Sequence, residues 1–196
     1  MRKINEIFYS LQGEGHYTGT PAVFVRFSGC NLSCDFCDTE HNDGSMMSDN
    51  DIIEEIMKYE NAPMIVLTGG EPSLFIDAQF IELLKTRTRK YISIETNGTT
   101  PLPSNIDWIT LSPKQGFSGG SMFPVVIDRC SELKVVYNGQ DLNPYFNIEA
   151  EEYYLQPCAT GDYVNDKENT QATIGMILSN PRWKLSLQTH KMLDIR

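Results

Sequence analysis

Residues 22–39 read Ala22-Val23-Phe24-Val25-Arg26-Phe27-Ser28-Gly29-Cys30-Asn31-Leu32-Ser33-Cys34-Asp35-Phe36-Cys37-Asp38-Thr39. The first seven are mostly β-branched and aromatic, which predicts a strand over 22–28. That strand feeds directly into a loop with C-x3-C-x2-C spacing. Soft thiolates select iron–sulfur clusters, zinc or copper(I), and a closed structural zinc site wants four ligands. Three thiolates instead hold three irons of a cubane and leave the fourth without a protein ligand. The spacing by itself gives only a three-thiolate metal loop.

Working outward, short apolar runs alternate with amphipathic ones. Strands are predicted over 64–67 (MIVL), 91–95, 108–111, 133–136, 153–155 and 184–187. Ser48-Asp49-Asn50-Asp51 starts a helix with a capping box in which Asp stands for the usual Glu. The stripe Ile52, Ile53, Ile56, Met57 carries that helix to about Tyr59. A second helix is predicted over 77–86 and a third over 171–178, while the Gly-rich stretch 115–124 reads as a loop. Strand–helix alternation argues a parallel sheet with right-handed crossovers. A full eight-unit barrel needs about 250 residues, and this chain has 196. The fold class is therefore α/β: an incomplete (β/α) barrel with reduced helices in the second half, in one domain spanning residues 1–196.

Composition narrows the partners. The formal net charge is -10 with no Lys/Arg cluster, which argues against a nucleic-acid surface. The N-terminus lacks the apolar segment of a signal peptide and no run is apolar enough to span a membrane, so a cytoplasmic protein is expected. Of five cysteines, Cys130 and Cys158 lie far from the loop and from each other and read as small buried hydrophobes.

Each remaining polar cluster follows a predicted strand: Thr68-Gly69-Gly70-Glu71-Pro72, Glu95-Thr96-Asn97-Gly98, Ser112-Pro113-Lys114 and Gln156-Pro157. Taken singly these are turn chemistry. Parallel α/β folds build sites at the carboxyl ends of strands, so their shared placement argues convergence on one site. Phe36, between two cysteines, is either a packing residue or a contact to a bound ring.

The cysteine spacing followed by the GGE(P) turn resembles the radical S-adenosylmethionine (SAM) superfamily. Three further features, Leu11-Gln12-Gly13-Glu14-Gly15, the Asp38-Thr39 after the last cysteine and the late Gln188-Thr189-His190-Lys191, resemble the 7-carboxy-7-deazaguanine synthase family within it. The similarity runs from about residue 5 to 192. The resemblance implies a carbon–nitrogen lyase of queuosine and deazapurine synthesis. Such an enzyme converts 6-carboxy-5,6,7,8-tetrahydropterin to 7-carboxy-7-deazaguanine with loss of ammonia, using a [4Fe-4S] cluster, SAM and Mg²⁺. A SAM-derived radical takes hydrogen from C6 of the pterin, the ring contracts and the hydrogen returns.

The resemblance also implies roles. Cys30, Cys34 and Cys37 hold the cluster. Phe36, Cys37, Asp38, Gly70, Glu95, Ser112, Pro113, Lys114 and Gln156 surround SAM, with the glycine turn meeting its amino group. Leu11, Gln12, Gly13, Glu14, Arg26, Thr68, His190 and Arg196 face the pterin. An amide such as Gln12 suits its mixed donor and acceptor edge, and Arg26 suits a carboxylate. Thr39 offers a hard oxygen to Mg²⁺. The plainer alternatives are a turn residue for Gln12, an ion pair with Glu14 for Arg26, a loop cap for Thr39 and a hydrogen-bonded structural residue for His190. A homodimer and a flavodoxin or ferredoxin-type reductant are implied as partners.

Two rival readings use the same loop. A glycyl-radical-enzyme activase would lack the set Gln12, Arg26, Thr39. A non-catalytic iron–sulfur electron-transfer module would need a fourth clustered ligand. The resembled family often ends in a proline near the substrate, whereas this chain ends Met192-Leu193-Asp194-Ile195-Arg196. Met192, Leu193 and Ile195 offer apolar anchors, so an ordered tail that closes the pterin pocket is expected.

Overall fold

Nine strands carry the computed structural model, which describes residues 1–196. They are β1 (Arg2–Leu11), β2 (Pro21–Phe27), β3 (Ser45–Met47), β4 (Met64–Gly69), β5 (Tyr91–Thr96), β6 (Trp108–Leu111), β7 (Arg129–Tyr137), β8 (Glu149–Pro157) and β9 (Lys184–Leu185). The helices are α1 (Asp49–Met57), α2 (Ala78–Thr88), α3 (Tyr163–Ser179) and α4 (Thr189–Leu193). One sheet contains every strand in the order β3-β1-β2-β4-β5-β6-β7-β8-β9. From β2 to β9 all neighbours are parallel, while β1 runs antiparallel to β2 and β3. This is the expected incomplete α/β barrel, and its second half is poor in helix: no α-helix joins β6 to β7 or β7 to β8.

Strand alternation decides what each side of the sheet holds. On the helix side, Val23, Val25, Phe27, Ile65, Leu67, Ile92 and Ile94 pack against Ile52, Ile53 and Ile56 of α1 and Phe80, Ile81 and Leu84 of α2. A second cluster joins Leu111, Leu133, Val135, Tyr137 and Leu155 to Trp183. The inner face starts apolar, with Phe8, Ala22, Phe24, Met64 and Val66. Towards the carboxyl ends it turns polar at Arg26, Thr68, Glu95, Lys134 and Gln156. Truncating one of the buried isoleucines or leucines to Ala costs about 2–5 kcal/mol.

The capping box of α1 forms as read: Ser48 Oγ accepts from Asp51 N at 3.2 Å, and Asp51 Oδ2 accepts from Ser48 N at 2.9 Å. Other boundaries move. Helix α3 begins at Tyr163, eight residues before the expected 171. Its first half, Asn165-Asp166-Lys167-Glu168-Asn169, has no apolar stripe, and the Asp162 cap starts it by accepting from Val164 N and Asn165 N. Strands β7 and β8 also start earlier than their apolar cores. Strand β9 stops at Leu185, short of the expected 187, because the chain turns to build α4. Strand β1 escaped the sequence reading: its polar and apolar residues are mixed, and its register with β2 shifts between Ile4 and Glu6.

Candidate active site

The strand-end motifs after β4, β5 and β6 are hydrogen-bonded into one frame, the last through Ser112 N to Thr96 O at 2.7 Å. Glu71 is 1% exposed. Its carboxylate accepts from Ser73 N at 3.0 Å, Thr96 Oγ1 at 2.7 Å and Asn97 N at 2.7 Å, so it locks the end of β4 to the end of β5. Asn97 Nδ2 donates to Asn31 Oδ1 in the cysteine loop at 3.1 Å, and Asn31 Nδ2 donates to Thr99 Oγ1 at 2.8 Å. The glycine turn packs against the same loop: Gly70 N donates to Phe27 O and Glu71 N to Gly29 O. A Cβ on Gly70 would overlap the Gly29 carbonyl. Glycine is required there for backbone against backbone.

The loop 115–124 props the cysteine loop from the other side. Ser33 N donates to Gly119 O at 3.4 Å and Asp35 N to Ser118 O at 3.3 Å. Phe36 packs on Phe117 with ring centroids 4.2 Å apart, and Val136 and Cys158 complete that cluster. Phe36 therefore packs within the chain while also lining the cavity described below, and Lys114 Nζ lies 5.7 Å from its ring centroid. Burial, then the nearby Lys134 charge, pull the Lys114 ammonium below its ordinary value. Its Nζ donates to Ser112 Oγ at 2.7 Å. Cys130 and Cys158 are both buried, as read.

A cavity of about 900 Å³ opens between these loops and the barrel interior. Every sequence-designated site residue lines it except Pro113, which is buried. The cysteine loop, Gly70, Ser112, Lys114 and Gln156 form one part of the wall. Leu11, Gln12, Gly13, Glu14, Arg26, Thr68, His190 and Arg196 form another.

Glu95 sits among that second group. It accepts from Gln12 Nε2 at 2.9 Å and from Thr68 Oγ1 at 2.9 Å. Arg26 Nε donates to Glu6 Oε1 at 2.9 Å, which replaces the partner Glu14 that the sequence suggested. Glu14 instead pairs with Lys134 Nζ at 2.5 Å. Burial opposes ionisation of Glu14, but the Lys134 charge and the hydrogen bonds from Lys134 and Gln188 outweigh it and hold the carboxyl well below the usual carboxylate range. Lys134, Glu6 and Glu71 were missed as site residues. The one available signal for Lys134 was a lysine inside an apolar strand. Glu6 lies on the strand that pattern reasoning did not find.

The two sequence-distant motifs meet here. Thr189 N and Oγ1 both donate to Gly13 O at 2.9 Å, and Gln188 Nε2 donates to Glu14 Oε1 at 2.9 Å. His190 stands where a Cβ on Gly13 would go. Lys191 pairs with Asp38 at 2.5 Å, beside the last cysteine. The expected apolar anchors of the tail do not form, since Met192, Leu193 and Ile195 are all exposed to solvent; polar contacts hold it instead, with Ile195 N donating to His190 O and Ser10 Oγ to Arg196 O at 2.5 Å. The Arg196 guanidinium pairs with Glu6 and lies 4.9 Å from the Phe8 ring centroid.

Three soft thiolates carried on one loop are the donor chemistry of an iron–sulfur cluster. No group of three His, Cys, Asp or Glu side chains is arranged to hold a single metal ion. The Gly70 carbonyl accepts no hydrogen bond within the chain, so an acceptor remains for a ligand ammonium beside the cysteines. The Thr39 hydroxyl makes no hydrogen bond within the chain, while its carbonyl accepts from Cys37 Sγ at 3.8 Å.

A parallel incomplete barrel with a three-cysteine loop after the first parallel strand defines the radical SAM class. The Radical SAM superfamily model matches residues 24–115. The chain belongs to the 7-carboxy-7-deazaguanine synthase family. The synthase of Bacteroides thetaiotaomicron is 56% identical over 196 residues and covers 100% of both chains. That of Caulobacter vibrioides is 37% identical and covers 98% of each. The crystal structure of QueE from Escherichia coli has a TM-score of 0.75 at 27% identity over 95% of this chain and 93% of that one. Streptococcus suis SuiB bound to S-adenosylmethionine, at 12% identity and TM-score 0.52, covers 81% of this chain and shares the fold.

Proposed function

We propose that this enzyme converts 6-carboxy-5,6,7,8-tetrahydropterin to 7-carboxy-7-deazaguanine with release of ammonia. The observation that carries the reading is one cavity with two chemically distinct parts: an open three-thiolate loop, and the carboxylate, amide and guanidinium set of Gln12, Glu14, Arg26 and Glu95. A glycyl-radical activase would have no use for that second set.

Cys30, Cys34 and Cys37 would hold the [4Fe-4S] cluster. When bound, the cluster and SAM supply a strongly oxidising carbon radical at the 5′ position of the adenosyl group. The Gly70 carbonyl would accept from the SAM ammonium, and Ser112, Lys114 and Gln156 would flank the molecule. Phe36 serves SAM by fixing the loop through its contact with Phe117.

On the substrate side, Glu6 holds Arg26 through Nε alone, leaving the terminal guanidinium nitrogens to fork around the substrate carboxylate. Gln12 has its amide oriented at both ends: Nε2 by Glu95, and Oε1 by Gly13 N at 2.8 Å. Thr39 would give Mg²⁺ one hydroxyl ligand, water and substrate oxygens completing its shell. Glu95 is assigned to the substrate side with Gln12 and Thr68. A homodimer, a flavodoxin or ferredoxin-type reductant and a cytoplasmic setting complete the proposal; no helix is long and apolar enough to cross a membrane. All residues 1–196 would act as one domain.

Anaerobic incubation of reconstituted protein with SAM, Mg²⁺, reductant and carboxytetrahydropterin tests the reading. Mass analysis should show 7-carboxy-7-deazaguanine. Reductive SAM cleavage without the deazapurine would leave a radical SAM enzyme with another substrate.

A further inference from the structure

The barrel interior holds an ammonium that the reaction as described does not use. Lys134, in the middle of β7, is 4% exposed. Its Nζ lies 2.5 Å from Glu14 Oε2 and 3.8 Å from Glu95 Oε1. Strand alternation also puts Glu132 on the same face, two residues earlier. Glu14 and Glu95 come from different elements, the loop after β1 and the end of β5, and both line the cavity. Lys134 is the point where they are joined.

We propose that Lys134 is a positioning residue for the substrate: its ammonium holds Glu14 and Glu95 in place as hydrogen-bond acceptors for the N–H donors of a fused aminopyrimidinone ring. The inference rests on the substrate class proposed above. Glu95 has two short hydrogen bonds from Gln12 and Thr68, and Glu14 has one from Gln188. Each carboxylate oxygen can accept more than one hydrogen bond, so capacity remains for a ligand. Without the cation, Glu14 would face the other carboxylates of this centre with no compensating charge, and like charges in a buried site disfavour its ionisation.

The surrounding charges agree. The groups facing this centre are Glu14, Glu95 and Glu132, with His190 from α4 beside Glu14 and Lys114 from the turn after β6. Burial alone would push the Lys134 ammonium down, yet the three carboxylates raise it above its ordinary value. Burial raises the Glu132 carboxyl, and its Oε2 accepts from His16 N at 2.9 Å. It therefore competes weakly for Lys134.

A carboxyl held low stays charged as pH falls, whereas one released from its cation takes up a proton on the acid side. The test compares Lys134→Gln and Lys134→Arg in reconstituted holoenzyme with SAM and without reductant, so that binding alone is read. Carboxytetrahydropterin affinity is measured by anaerobic equilibrium dialysis between roughly pH 6 and pH 8.5, and iron and sulfide content reports the integrity of the cysteine loop. The glutamine variant should bind at least about ten-fold more weakly at the acid end, with the gap narrowing as pH rises. The arginine variant should keep the pH profile of the wild type. Equal profiles for the two variants, or a loss independent of pH, would overturn the proposal. Wild-type protein that fails to bind the pterin at all overturns the substrate reading and this inference with it. Should Lys134→Gln not fold, Glu14→Gln/Lys134→Gln should fold, because the uncompensated charge is gone; a double variant that also fails shows a purely structural lysine.

Discussion

At the residue scale, the site is built by groups whose neighbours leave them little freedom. Glu71 illustrates this: the motif Gly69-Gly70-Glu71 reads as a turn, but its carboxylate is the buried tie between two strand ends. The thiols behave differently. Burial raises Cys30 and Cys34 above the ordinary thiol value, so these two favour the neutral thiol until metal binding displaces their protons. We expect Cys30→Ala to remove the cluster and all turnover; iron and sulfide analysis after anaerobic reconstitution checks this, and an alanine variant that still cleaves SAM sinks the assignment. Thr39→Val keeps shape and deletes a hydroxyl that has no partner in the chain. Cluster content should be normal while turnover loses its response to added magnesium. A merely structural threonine would leave the magnesium dependence of the rate unchanged.

At the element scale, the strands deliver chemistry through their last inward-facing residues. Arg26 and Thr68 are paired in register across β2 and β4, and Val136 and Gln156 across β7 and β8. Residues one position away point to the helices, so a one-residue slip would exchange site for core. Much of this was legible: MIVL and AVFVRFS read as strands because their residues are buried on both faces, and motifs after strands converge in parallel folds. Strand β1 and the first half of α3 were not legible, because their mixed polarity carries no clean period. Helix α1 depends on its reciprocal cap. Ser48→Ala should destabilise the protein by about 1 kcal/mol, read as a lower denaturant midpoint with unchanged slope, while the cysteine loop still assembles its cluster.

Across the whole molecule, the two ends of the sequence close one cavity. The segment from Gln188 onward clasps Gly13 and Glu14, Lys191 reaches Asp38 beside the cysteines, and Arg196 joins Arg26 on Glu6. Deleting residues 193–196 removes the Arg196 pair and the Ser10 anchor but leaves the contacts of Thr189 to Gly13. Substrate KM should rise about ten-fold, on the scale of one lost charge-assisted contact, with cluster content and uncoupled SAM cleavage unchanged. Steady-state kinetics on the truncated protein decides it, and an unaltered KM would mean that the tail is only a tail.

Spacing and periodicity determined the parts that depend on neighbours in sequence. These are the three-thiolate loop, the parallel strands that bury both faces, the capping box of α1, and the strand-end turns that converge because parallel strands share a direction. Tertiary structure alone decided the partners of charged groups. Arg26 reaches Glu6 rather than Glu14, Glu14 finds Lys134, and Glu95 joins Gln12 and Thr68, all across gaps of 20 to 120 residues. The reason is physical. A strand pattern reports which face a side chain is on, but the field at that side chain depends on which other strands curve round to meet it.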